Sequence, residues 1–286
     1  MEWSKVKRIF IYFLIVMNIG LFTANWYSNN KYTMSLSEER AIYKVLENNG
    51  IGLYTNLIKK TPPMRSLGVS VTTLDYNHYK ELVFDSDEKV ETTLEFEKTV
   101  MASDTKVLSV EGNEIVYLNP DGTGEIADFN KEAALVEANT FLATIDSAAM
   151  RNLKVENVEV FDDRFVFEYN ERYREYKLFN NEKKIVVSKK GVIMLNAAYY
   201  TVSNFVGERR EIVSCDEALM VFINAFKKKD ISKVVYIEKI ELGYDFQSSD
   251  EIADGSSIRL IPCYRIITSE TDGIYTINAY TNEMME

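Results

Sequence analysis

Hydrophobic and polar positions fall into three successive patterns along the chain. Residues 9–26 read IFIYFLIVMNIGLFTANW, 18 residues without a charge. At about 1.5 Å per helical residue this run is long enough to cross most of a bilayer core. Asn18 and Asn25 are its strongest polar interruptions; Asn18 with Gly20 marks a candidate helix-contacting face, since an amide at mid-depth can hydrogen-bond a partner helix, with a merely tolerated polar residue as the equal alternative. Residues 28–36 are polar and read as a linker. A helix is expected from Ser35, which has capping-box spacing to Glu38 and is followed by Ile42, Val45 and Leu46 on one face before Gly50 ends it.

The second pattern is short-range alternation. Residues 51–70 contain Thr61-Pro62-Pro63 and are expected to be extended or loop-like, because a residue before proline is pushed out of the helical region. Residues 75–116 alternate in short runs, with Thr93, Glu95 and Glu97 against Leu94 and Phe96, and read as strands with one wet face. The cluster Asn119-Pro120-Asp121-Gly122-Thr123-Gly124 is the clearest turn and a candidate lobe boundary.

The third pattern is a helix followed by strands, used twice. Ala134, Ala138, Phe141, Leu142 and Ile145 form one helical stripe. Strand signals follow at Val158 and Val160, at Phe165, Phe167 and Tyr169, at Ile185 and Val187, and over 192–200 after the Lys189-Lys190-Gly191 turn. In the second round Ser214 and Glu217 repeat the capping spacing, and Ala218, Leu219, Phe222, Ile223 and Phe226 form the stripe. Strands are then expected over 234–244, 262–268 and 274–280, with Asp272-Gly273 as a hairpin turn. The implied fold class is α+β: a single N-terminal transmembrane helix followed by an extracytoplasmic region of two lobes, each an antiparallel sheet plus helices. The expected divisions are a cytoplasmic stub at 1–8, the transmembrane helix at 9–27, the linker at 28–36, a helix-then-strands part at 37–125, a middle helix-plus-sheet unit at 126–212 and a C-terminal one at 213–286.

Charge sharpens the membrane reading. The 286 residues carry a net -11, yet the first eight hold Lys5, Lys7 and Arg8 against Glu2, a local +2 that leaves -13 on the rest. Basic residues before a span stay in the cytoplasm, which puts the acidic body outside, with Trp3, Trp26 and Tyr27 as interfacial aromatics. A cleaved signal peptide shares the basic start and apolar core, but a cut after Ala24 would put the bulky Phe22 where a small residue belongs, so an uncleaved anchor is expected. No cysteine follows the run to suggest a lipoprotein.

Composition narrows the chemistry. With 12% aromatics the chain is not of the disordered class, and its acidity disfavours nucleic acid as a partner. One histidine and two cysteines cannot make a Cys/His zinc site without carboxylates, and only His78 could act as an imidazole base. The acidic run Asp85-Ser86-Asp87-Glu88 reads as a solvated face, and the 121–125 segment lacks the ligand alternation of a calcium loop. No catalytic residue, cofactor or metal ligand is assigned. Cys215 and Cys263 would face an oxidising side, so a disulfide is open, though spacing alone does not decide it.

Several motifs resemble the YycI (WalI) family, accessory regulators of the YycFG (WalRK) cell-wall two-component system of low-GC Gram-positive bacteria. They are the opening residues 1–10, Phe179-Asn180-Asn181, Tyr199-Tyr200-Thr201 and residues 207–212. Toward the end they are Glu241-Leu242-Gly243-Tyr244, residues 262–266 and residues 275–281. The family usually carries an acidic residue near position 18, where this chain has Asn18, and an aromatic where it has Cys263 beside Tyr264. The resemblance implies a non-enzymatic regulator that pairs with a YycH/WalH-like protein and contacts a sensor histidine kinase of the YycG/WalK type. Tyr264, Tyr275 and Tyr280 in the tyrosine-rich ending are candidate extracytoplasmic interface residues, with core packing as the other fate of such rings. Two further readings are a binding module for a peptide or cell-wall fragment, which needs a concave pocket, and a carboxylate-based hydrolase, which needs two acids about 5 to 10 Å apart in a cleft.

Overall fold

The computed structural model describes residues 3–72, 74–96, 98–146, 149–227, 234–246, 258–270 and 273–285. Asp272 of the expected hairpin turn lies outside them. Helix α1 (Trp3–Asn30) contains the charge-free run and continues three residues into the expected linker. Helix α2 (Leu36–Asn48) starts as its capping residues dictate: Ser35 N–H donates to Glu38 Oε2 at 2.7 Å, and Glu38 N–H donates to Ser35 Oγ at 3.3 Å. It buries Ile42 and Leu46 and ends before Gly50, whose φ of +68° suits glycine.

Strands β1 (Ile51–Leu53) and β2 (Met64–Val71) flank the proline segment. Helix α3 (Tyr76–Val83) corrects the expected strand at this point. Asp75 caps it by accepting from Asn77 N–H at 3.0 Å, and Tyr79, Leu82 and Val83 turn inward at helical spacing. Strands β3 (Glu91–Glu95), β4 (Lys98–Ala102), β5 (Val107–Glu111) and β6 (Glu114–Leu118) form the expected alternating meander. Next come α4 (Lys131–Ile145), β7 (Leu153–Val160), β8 (Arg164–Tyr173), β9 (Tyr176–Ser188) and β10 (Gly191–Ala198). Strand β11 (Tyr200–Arg210) follows, then α5 (Cys215–Lys227), β12 (Val235–Phe246), β13 (Ile258–Thr268), β14 (Ile274–Asn278) and β15 (Met284–Met285). The helix-then-strands order holds in both rounds, and the fold is α+β.

The chain forms two compact units, and both are discontinuous. The first comprises Met1–Met64, Arg209–Glu241 and Tyr264–Met285, the second Arg65–Glu208 and Leu242–Cys263. The expected consecutive segments are therefore corrected, and the cause is a long-range pairing: β1 lies parallel to β12, with Ile51 opposite Val235 and Leu53 opposite Ile237. A second parallel pairing joins β12 to β9 at Gly243 and Lys177, so the sheets are not purely antiparallel.

In the first unit α2 and α5 pack together, and α5 buries Cys215, Ala218, Leu219, Phe222, Ile223 and Phe226. In the second unit β3, β4, β5, β6, β10 and β9 follow one another antiparallel, with β8 and β7 also attached through β9. Helix α4 crosses β8, β9 and β10 and inserts Ala134, Ala138, Leu142 and Ile145. The turn at 119–124 forms, with Gly122 N–H donating to Asn119 O at 2.9 Å and Gly124 N–H to Lys190 O at 3.0 Å. It lies inside the second unit and is no lobe boundary.

Candidate membrane anchor and contact surfaces

The segment Lys5–Tyr27 of α1 is long and apolar enough to span a membrane, and none of it is buried within the protein. Asn18 Nδ2 donates back to Leu14 O at 2.8 Å, which satisfies the amide donor inside the helix. A side chain added at Gly20 would meet nothing within 4 Å. Both positions lie on the exposed helix surface, and no described residue covers them.

Where α1 ends, the chain is tied to the first unit. Met34 N–H donates to Lys59 O at 2.8 Å, Thr61 N–H donates to Tyr32 O at 2.9 Å, and Thr33 bridges to Lys60. Glu211 Oε1 accepts from Lys31 Nζ at 2.7 Å and from the Tyr32 hydroxyl at 3.1 Å. The hydrogen bond from Lys31 holds the Glu211 carboxyl below the usual range, and the same bond raises the Lys31 ammonium above its own. These groups are exposed, so water screens the ion pair and the backbone bonds do most of the fastening.

Of the two fates open to the tyrosine-rich ending, Tyr264 and Tyr275 take core packing. Tyr264 is wholly buried, and its hydroxyl donates to Val213 O at 2.8 Å. Tyr275 is 4% exposed, packs edge-on to Phe222 at 4.9 Å and donates to Glu270 Oε2 at 3.1 Å. Both rings are core groups that present no face to a partner, which corrects their reading as interface residues. Tyr280 is half-buried, donates to Met64 O at 3.1 Å and carries the Arg210 guanidinium 4.5 Å above its ring. The two cysteines are buried, and neither forms a disulfide. Burial pushes the Cys215 thiol up to about 11.

His78 lies exposed on α3, with its ring 5.4 Å from that of Tyr79. Of the acidic run beyond it, Asp85 and Glu88 accept from Lys106 Nζ at 3.4 and 3.0 Å, and the Ser103 hydroxyl also donates to Glu88. An open depression of about 490 Å³ beside them is lined by Lys80, Glu81, Phe84 and Glu88 among others. Among the described residues no group of three or more His, Cys, Asp and Glu side chains comes together as metal ligands would.

A buried polar cluster in the second unit went unpredicted. Lys183 is 1% exposed, donates to Ala198 O at 3.1 Å and sits 3.9 Å over the Tyr199 ring. Burial pushes its ammonium down to about 8, against the pull of Glu171 and Asp146. Burial also raises the Glu171 carboxyl, which accepts from Asn181 Nδ2. The signal was present in the alternation of β9, where Asn181 and Lys183 share the inward face of Ile185 and Val187. A lysine at such a position marks an internal charge.

No family model and no curated protein matches the chain. Among solved structures it is similar to an uncharacterized protein from Eubacterium rectale, with a TM-score of 0.57 and 14% identity over 82% of this chain and 89% of that one. A weaker likeness is to the Bacillus megaterium YpeB C-terminal domain, with a TM-score of 0.39 and 13% identity over 75% of this chain and 96% of that one. The first likeness shows a shared α+β fold.

Proposed function

We propose that the protein is a non-enzymatic, membrane-anchored regulator of a cell-wall sensor histidine kinase, acting through contacts of its span and outer body together with a YycH-like protein. The observation that carries this reading is the exposed apolar helix α1, which carries Lys5, Lys7 and Arg8 in its first turns and leads directly into an acidic folded body. The basic stub supports a cytoplasmic N-terminus and an outer body. The kinase as partner rests on the YycI-like motifs. A span biases such a kinase only by binding one signalling state better than the other, and the ties between α1 and the first unit give the body a way to set the pose of the span. The test is co-purification of the tagged full chain from detergent-solubilised membranes. Recovery of both the kinase and the YycH-like protein is expected, and the absence of both, with the chain folded, would sink the proposal.

A further inference from the structure

Strand β3 ends one path of the sheet, and among the described residues β4 is its only strand neighbour. All five of its residues are exposed, so one edge presents backbone N–H and C=O groups to whatever can pair with them. Side chains alternate along it. Glu91, Thr93 and Glu95 project to one face, and Thr92 and Leu94 to the other.

The turn that follows is costly in two ways. Phe96 takes a φ of +52°, a left-handed conformation that glycine or asparagine adopts with far less strain at a hairpin tip. Its ring is also fully exposed, next to Leu94 at 68% exposure. Neither apolar side chain serves the core of this chain. Together they extend the β3 edge with an apolar step that an incoming chain could cover.

Charge selects the occupant. Residues 81–97 hold seven acidic side chains and one basic. Lys98, opposite Glu95 across the hairpin, pairs at 3.8 Å with Glu111. A second copy of this chain is a poor fit, because antiparallel pairing centred on Thr93 sets Glu91 against Glu95 on both sides, and like charges directly opposite are destabilising. We propose that the β3 edge is a docking site for an extended, basic protein segment. The segment adds as a further strand, with Lys or Arg beside Glu91 and Glu95 and apolar residues beside Leu94 and Phe96. This gives the outer body a contact surface and does not depend on which kinase the span meets.

The test uses the full chain in detergent micelles and a capped seven-residue peptide alternating lysine and valine, read by amide hydrogen exchange. Protection centred on residues 91–96 is expected, with the dissociation constant raised at least tenfold by Glu91→Lys with Glu95→Lys, and severalfold by Phe96→Ser. A peptide with proline for its central valine keeps the charge but cannot complete the strand, and it should leave β3 unprotected. Equal binding of the proline peptide or of a glutamate-valine peptide, or protection confined to other segments, would overturn the proposal. Because the peptide replaces any natural partner, this outcome is independent of the membrane co-purification.

Discussion

Lys183 shows what an inward charge does on a largely apolar face of a sheet. Glu171 on β8, Asp146 at the end of α4 and the Tyr199 ring act on the ammonium, yet desolvation outweighs the pull of the two carboxylates and its folded value falls to about 8. The unfolded chain holds that proton to a higher pH, so the burial penalty is fully present below pH 8 and is relieved as pH rises toward the unfolded value. The shift corresponds to about 3 kcal/mol at most. Urea unfolding should therefore show stability climbing between pH 8 and 10 in the wild type relative to Lys183→Met, and parallel profiles for the two proteins would refute the assignment. Gly122 poses a different constraint at the same scale. With φ at +75°, a Cβ there would lie 1.9 Å from Lys190 O, whereas at Gly112, with φ at +56°, it would meet nothing within 4 Å. Gly112→Ala should cost about 1 kcal/mol for the left-handed backbone alone, and Gly122→Ala should cost more than twice that, measured by the same unfolding assay.

At the scale of elements, what could be read from the sequence was what local chemistry decides. Helix α2 is the clearest instance, since the cap and the buried stripe lie within twelve residues of each other. Ser35→Ala removes the hydroxyl that accepts from Glu38 N–H and should loosen the first turn by about 1 kcal/mol, visible as faster amide exchange confined to the start of α2. Helix α3 was missed because it has only eight residues and a single fully buried side chain, Tyr79, so its periodicity barely rises above the alternation around it. Strand β11 was missed for the opposite reason: none of its side chains is buried, which leaves no apolar rhythm to read. The tyrosines near the end were legible as aromatic but not as inward or outward. That choice was made by α5, whose Phe222 meets Tyr275, and by Val213, whose carbonyl takes the Tyr264 hydroxyl.

At the scale of the whole molecule the limit was the parallel pairing of Ile51 with Val235, since no local pattern announces a partner so far along the chain. Charge, by contrast, is a property of the whole chain and needs no pairing to be read. The +2 on residues 1–8 and the -13 on the rest bear on the proposed topology, and the buried thiols supply a quiet background for testing it. Cys215 is buried and its thiol is held well above neutral pH, so it offers almost no thiolate, and Cys263 is equally enclosed. A cysteine at the exposed position Asp104 should then be the main site for a membrane-impermeant maleimide. With the body outside, Asp104→Cys labels in intact protoplasts as fully as after lysis. Replacing Lys5, Lys7 and Arg8 by glutamine removes the charge that retains the stub, and the fraction labelled before lysis should drop. Labelling of the parent cysteine variant only after lysis would place the acidic body in the cytoplasm and remove the outer contact surface from the proposed function.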